Sequence, residues 1–106
     1  MSKVFIALQT NDDTRPIIES ILADAAAIAQ VRRDIHAHPE LCFEEHRTAD
    51  LIARQLTDWG IPVHRGLGKT GVVGIVKNGT SNRAVGLRAD IDALPMTEHN
   101  HFAHRS

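Results

Sequence analysis

The chain is poor in the residues that stabilise secreted and membrane proteins. Its 106 residues include one cysteine, Cys42, and no tyrosine, and aromatic residues make up 4% of the chain. A single cysteine excludes an internal disulfide and fits a reducing compartment. The apolar run Val4–Leu8 is far shorter than the ~20 residues of a membrane span, and no signal-peptide cleavage pattern follows it. We therefore expect a cytoplasmic protein without a membrane partner.

The chain also lacks a large excess of positive or negative charge. Twelve basic and 13 acidic residues leave a net charge of -1, which argues against nucleic acid or an anionic membrane as the main partner. The length allows one domain at most, and a domain of this size buries roughly two thirds of its unfolded surface. What is present in unusual number is histidine, with seven residues. Because histidine is a frequent metal ligand, this count raises the expectation of a metal site.

Two amphipathic helices are predicted in the first half of the chain. Apolar residues three and four apart predict one helix from about Arg15 to His36, preceded by a loose arm over residues 1–14. Pro39 ends this pattern because it disfavours helical backbone at the residue before it. A second helix is predicted from about Glu44 to Trp59, with Gly60 as its carboxyl cap. Cys42 precedes it without a neighbouring base, so we do not assign it as a nucleophile.

Three strands are predicted in the second half. They are Ile61–His64, Val72–Val76 and Ala84–Ala89, with a hairpin turn at Lys77–Asn82 between the last two. The first half of the third strand, Ala84–Leu87, is small and apolar, which suits a strand buried on both faces of a sheet. The fold class is therefore α/β, with two helices followed by strands of a mixed sheet.

The glycine-rich stretch between the first two strands mimics a nucleotide-binding loop. Residues Gly66–Gly71 spell G-x-G-x-x-G, but that fingerprint requires a helix after the last glycine. Here Val72–Val76 follows, which is β-branched and apolar. We interpret the stretch as a link between strands.

The third predicted strand ends in a group of charges. Arg88, Asp90 and Asp92 stand at every second position, so they share one face if the strand continues to Pro95. Carboxylates at the carboxyl end of a buried strand require compensation by a cation, a metal or Arg88. Such a position is typical of an α/β active site. The alternative is that both aspartates only stabilise the turn before Pro95.

Histidines recur in two further places. His36 and His38 lie two residues apart before Pro39, where we favour a structural role over a metal clip. Near the other end, His99, His101 and His104 allow two interpretations. One is a small metal clip with His101 and His104 as its candidate ligands, and the other is the approach to an active site.

Two motifs together resemble a known family. The segments Arg33–Leu41, RDIHAHPEL, and Arg88–Pro95, RADIDALP, are similar to the amino-terminal part of the metal-dependent aminoacylase and carboxypeptidase family, in its hippurate hydrolase branch. The resemblance runs from about Ile21 to Ser106. It implies that residues 15–106 are the incomplete start of a zinc-peptidase-like catalytic domain, without the family's smaller dimerisation domain.

The resemblance also implies a chemistry. Two divalent cations, of manganese, zinc, nickel or cobalt, would activate a water that cleaves the amide bond of an N-acyl amino acid. Asp92 matches the motif aspartate that steadies a metal-binding residue from outside the coordination shell. Asp90 stands where many relatives have a ligand histidine, a substitution usual in this branch, and would support the site. The family's remaining ligands lie beyond the point that corresponds to Ser106.

Two hypotheses follow. In the first, the parent protein is a metal-dependent amidohydrolase, a homodimer or homotetramer, and this chain alone is inactive and holds no metal tightly. In the second, the chain is a small non-catalytic binding module that pairs with a partner through an exposed sheet edge, with histidines clipping a metal.

Overall fold

The computed structural model describes residues 18–106. These residues form two compact units, one of residues 40–95 and the other of residues 18–39 together with residues 96–106. Over the described part of the chain, no helix is long and apolar enough to cross a membrane. The predicted arm at residues 1–14 and the start of the first predicted helix lie outside the described residues. The order of two helices followed by strands is confirmed.

Helix α1 spans Glu19–Ala37. It follows Ile18, whose backbone is extended, and ends at His38, whose backbone N–H donates to the Ile35 carbonyl at 3.2 Å. Pro39 comes next and excludes a longer helix. No residue of α1 is buried. The predicted apolar stripe is present but exposed at four of its residues: Ile18, Ile21, Leu22 and Ile28.

Helix α2 spans His46–Asp58 and ends in a Schellman motif. The N–H of Gly60 donates to the Thr57 carbonyl at 2.9 Å, and the N–H of Ile61 donates to the Leu56 carbonyl at 2.9 Å. Gly60 has φ +74, a left-handed conformation that glycine adopts without steric strain. The predicted carboxyl cap at Gly60 is confirmed.

Strands β1, Val63–Leu67, and β2, Gly71–Gly74, form an antiparallel hairpin. Val63 pairs with Gly74 and Arg65 with Val72, and the register shifts between Arg65 and Leu67. Gly68 and Lys69 in the turn have φ of +56 and +78. A strand follows this turn instead of a helix, which confirms that Gly66–Gly71 is a link between strands. The hairpin turn therefore lies here and not at Lys77–Asn82, and that prediction was wrong.

The predicted third strand at Ala84–Ala89 does not form within the described residues. Val85 and Leu87 are 88% and 96% exposed, so they are not buried on either face. A strand requires a hydrogen-bonded neighbour, and β2 makes its ladder with β1. Further along, Leu41 and Ala93 form an isolated parallel bridge. The pairing is thus antiparallel in the hairpin and parallel at this bridge.

The core of residues 40–95 lies between α2 and the hairpin. Helix α2 packs against both strands, and its residues Ala49 and Ala53 are 2% and 6% exposed. At the far end of the helix, a Cβ at Gly74 would lie 3.1 Å from Ile61 and 3.2 Å from Leu56. Close packing here favours glycine in β2, because these side chains would have to shift to admit a Cβ. The remaining buried side chains are polar: Glu45, Thr48 and Thr70.

Candidate functional site

The carboxylate of Glu40 caps the amino terminus of α2. Its Oε2 accepts from the backbone N–H of Arg47 at 2.9 Å. Its Oε1 accepts from the backbone N–H and the hydroxyl of Thr48, both at 2.6 Å. Burial opposes the ionised form, but these three donors and the nearby His46 outweigh it and lower the pKa of Glu40. An anion at this end of a helix is stabilised by the unpaired N–H groups and the helix dipole.

The main chain of the same residue holds the predicted site segment. The carbonyl oxygen of Glu40 accepts from the N–H of Ala93 at 2.7 Å, as part of the parallel bridge between Leu41 and Ala93. Asp92 directly precedes Ala93 and Asp90 lies two residues further back. The two predicted site residues are therefore placed by contact with the loop that precedes α2.

Asp90 pairs with Arg88, one of the compensating groups that the sequence analysis leaves open. Arg88 donates from Nη2 to Oδ1 of Asp90 at 2.7 Å. The side chain of Arg88 is 86% exposed and that of Asp90 is 32% exposed. Because the pair is largely solvated, it contributes little to stability. The pair does keep the charges of Arg88 and Asp90 close together.

Asp92 is the other predicted site residue. It is half-buried, and its carboxylate makes no hydrogen bond or ion pair among residues 18–106. The neighbouring Arg88 forms its ion pair with Asp90 and not with Asp92. A half-buried carboxylate without a partner is suited to a second group that approaches it, because such a group would offset its desolvation.

A second carboxylate lies buried beside the first turn of α2. Glu45 is 5% exposed, and its Oε2 accepts from the hydroxyl of Thr70 at 2.6 Å. The Thr70 hydroxyl is the main cause of the lowered pKa of Glu45, with burial acting in the opposite direction. This hydrogen bond joins the hairpin turn to the start of the helix. Cys42, which precedes the same helix, is exposed.

In the other unit, Glu98 connects residues 96–106 to α1. Its Oε1 accepts from Nδ2 of Asn100 at 2.7 Å. Its Oε2 accepts from Nε2 of His36 and from the backbone N–H of Ser106, both at 2.8 Å. The hydrogen bonds from Asn100 and Ser106, followed by His36, lower the pKa of Glu98 from 4.5 to about 2 against the effect of burial. Glu98 is thus an anionic anchor for the segment.

Both histidines before Pro39 have protein partners of their own. While His36 donates to Glu98, His38 donates from Nδ1 to the carbonyl of Asp34 at 2.8 Å. These contacts agree with the structural role predicted for this segment.

The histidines near Ser106 do not converge. Over residues 18–106, no group of three or more His, Cys, Asp or Glu side chains is arranged to hold a metal ion. The ring of His104 stacks on Phe102 with centroids 4.2 Å apart and lies 6.2 Å from the ring of His36. His101 is exposed. The two candidate ligands of the metal clip therefore have no third ligand beside them among residues 18–106.

Sequence reasoning missed the roles of Glu40, Glu45 and Glu98. The partners of Glu40 lie seven and eight residues away, outside the spacing of a capping box. Glu45 and Thr70 are 25 residues apart, and Glu98 and His36 are 62 apart. No short-range pattern signals such pairs. Glu40 and His36 both lie in the motif Arg33–Leu41, and this motif is the sequence feature that points to their region.

Comparison with known proteins gives a consistent group of relatives. The chain is 43% identical over 90 residues to a hippurate hydrolase of Campylobacter jejuni, covering 85% of this chain and 24% of the relative. It is 46% identical over 72 residues to thermostable carboxypeptidase 2 of Saccharolobus solfataricus, covering 67% and 18% respectively. It is 34% identical over 93 residues to an N-acyl-L-amino acid amidohydrolase of Geobacillus stearothermophilus, covering 88% and 24%.

The matches cover most of this chain and a small part of each relative. The chain spans no more than about a quarter of the length of these relatives. No family model matches the chain, and no solved structure matches it.

Proposed function

Because this chain belongs to the amidohydrolase family that includes hippurate hydrolase, thermostable carboxypeptidases and N-acyl-L-amino acid amidohydrolase, we propose that the whole protein hydrolyses the amide bond of N-acyl amino acids. The observation that carries this proposal is the 43% identity to a hippurate hydrolase over 85% of the chain. The resemblance further implies a homodimer or homotetramer that acts on a small molecule. We propose a cytoplasmic location, as the sequence analysis predicts.

Metal dependence is part of the proposal. The resemblance implies two divalent cations, but residues 18–106 contain no group of three ligand side chains. These residues alone do not fit a metal centre, so the ligands would come from regions that the relatives possess outside the matched segment. A bound cation would polarise the scissile carbonyl and supply an activated water.

Within this proposal, Asp92 is a positioning residue. Its carboxylate is half-buried, has no partner among residues 18–106, and follows the Arg88–Asp90 ion pair. It would accept a hydrogen bond from a metal-binding side chain and fix the orientation of that side chain. Asp90 would support the same site through its pairing with Arg88.

We further propose that the 106-residue chain is inactive by itself. The test is to assay the isolated polypeptide with hippurate and N-acetyl amino acids, with manganese or zinc added. We expect no turnover above that of the same buffer with metal. Turnover that is abolished by Asp92→Ala would overturn this part of the proposal.

The activity of the whole protein is tested in a chimera. The 90 matched residues of this chain replace the corresponding segment of the Campylobacter jejuni hippurate hydrolase, and hippurate hydrolysis is measured with and without a chelator. We expect metal-dependent turnover. A folded chimera that binds metal but does not hydrolyse hippurate would contradict the proposed function.

A further inference from the structure

We propose that Glu40 is a positioning residue, which fixes the place of Asp92 by joining the Ala93 main chain to the amino terminus of α2. This inference rests on the proposed function, which gives Asp92 its role. It assigns to Glu40 a task that requires both its side chain and its main chain. We call the two sets of contacts together the Glu40 clamp.

The side-chain part of the clamp consists of three hydrogen bonds to the Glu40 carboxylate. Both carboxylate oxygens of Glu40 are engaged, with two donors on Oε1 and one on Oε2. Thr48, which supplies two of the three donors, is 1% exposed. Hydrogen bonds from N–H groups to a charged acceptor are stronger than those between neutral groups. Glu40 therefore cannot rotate away from α2 without leaving buried donors unpaired.

The main-chain part of the clamp reaches the site segment directly. The Ala93 N–H donates to the Glu40 carbonyl at 2.7 Å, and this bond is part of the parallel bridge between Leu41 and Ala93. Asp92 is bonded to Ala93, and consecutive Cα atoms are fixed about 3.8 Å apart. Restraining the Ala93 amide therefore restrains the backbone from which the Asp92 side chain projects.

Other features of the segment do not provide this restraint. Arg88, which pairs with Asp90, is 86% exposed, and Leu87 before it is 96% exposed. The backbone around these residues forms no strand within the described part of the chain. Asp92 thus sits between a solvated stretch and the Glu40 clamp. Loss of the clamp would leave its position poorly defined.

Amide hydrogen exchange in the 106-residue chain tests the clamp. The readout is the exchange rate of the Ala93 amide divided by that of a β1–β2 ladder amide, such as Val73. In Glu40→Ala we expect this ratio to rise about tenfold, since the capping contacts of a charged acceptor are lost. Glu40→Gln keeps one carbonyl acceptor, so the Ala93 amide should be protected better in this variant than in Glu40→Ala.

The matched control is Thr70→Val, which removes another buried hydrogen bond of the same unit and leaves Glu40 intact. It should speed exchange at both amides and leave the ratio unchanged. If Glu40→Ala fails to fold, Glu40→Gln is compared with the parent chain instead. Its exchange ratio should be about threefold higher than that of the parent. An unchanged ratio in the Glu40 variants, or an equal rise in Thr70→Val, would overturn the inference.

The chimera separates this inference from the proposed function. There, Glu40→Gln should lower kcat for hippurate more than it changes KM, because Asp92 is displaced and substrate contacts are kept. A raised exchange ratio in the Glu40 variants together with an inactive chimera would support the clamp and refute the proposed function. An active chimera that needs Asp92, together with an unchanged exchange ratio, would refute the clamp alone.

Discussion

The hydroxyl of Thr70 donates to Oε2 of Glu45 at 2.6 Å, and both residues are buried. Thr70 belongs to the turn between β1 and β2, while Glu45 immediately precedes α2. This hydrogen bond therefore connects two elements that are far apart in the chain. Because the acceptor is charged and buried, loss of its donor is more costly than loss of a surface contact.

Thr70→Val should lower the free energy of unfolding by about 1–3 kcal/mol, since it leaves the buried Glu45 carboxylate without its main donor. Urea denaturation followed by circular dichroism measures the change. Thr80→Val at an exposed position is the matched control and should stay within about 0.5 kcal/mol of the parent. Equal stabilities of the two variants would contradict the role of this hydrogen bond.

The anchor at Glu98 should be sensitive to acid. The pKa of Glu98 is lowered from 4.5 to about 2, so the folded state favours the ionised carboxylate. Its contribution to stability is then fully present above 4.5 and is lost as the pH falls from 4.5 toward 2. In NMR titrations, the signals of His36 and of the Asn100 side-chain amide should change in this window as their contacts with Glu98 are lost.

Glu98→Gln is the control for that titration, because it removes the ionisable group and keeps the size of the side chain. In this variant, the acid-dependent changes of the Asn100 side-chain amide should disappear. If they persist unchanged, a group other than Glu98 controls the contact.

Gly60→Ala should destabilise the chain by about 1 kcal/mol, because φ at this position is +74 and an alanine there is strained. Gly86→Ala is the matched control. A Cβ at Gly86 meets nothing within 4 Å and its φ is not positive, so the change should be neutral or stabilise by up to about 1 kcal/mol. Thermal melts of both variants measure the difference. An equal loss in both would argue against the Schellman motif.

Leu87→Ser should leave the free energy of unfolding of the 106-residue chain within about 0.5 kcal/mol of the parent, because the leucine is 96% exposed. Ala53→Ser, at a residue 6% exposed in the α2 core, should be clearly destabilising because it buries a hydroxyl. Urea denaturation compares them. A large loss on changing Leu87 would show that Ala84–Leu87 is packed as a strand.

Local patterns predicted both helices and their carboxyl ends well. The 3.6-residue periodicity identified α1 and α2, and Gly60 marked the carboxyl end of α2 through its special backbone conformation. Glycine followed by β-branched residues predicted a strand after Gly71, which β2 confirms. Each of these signals depends on residues that are close in the chain.

Pairings between distant residues were not predictable in the same way. Strand propensity at Ala84–Ala89 could not supply the partner strand that pairing requires, so that prediction was wrong. The turn at Lys77–Asn82 was placed wrongly for the same reason. Glu40, with its contacts to Thr48 and Ala93, emerged only from the three-dimensional structure.

The most direct test of the central claim is the effect of Asp92→Asn on hippurate hydrolysis by the chimera. We expect kcat/KM to fall about 10–100-fold, with weaker metal binding, since the substitution replaces the charged acceptor that orients a metal-binding side chain by a neutral amide. Asp58→Asn, at an exposed residue of α2, is the control and should retain full activity. If the Asp92 and Asp58 variants hydrolyse hippurate and bind metal equally well, Asp92 has no part in the site and the account is contradicted.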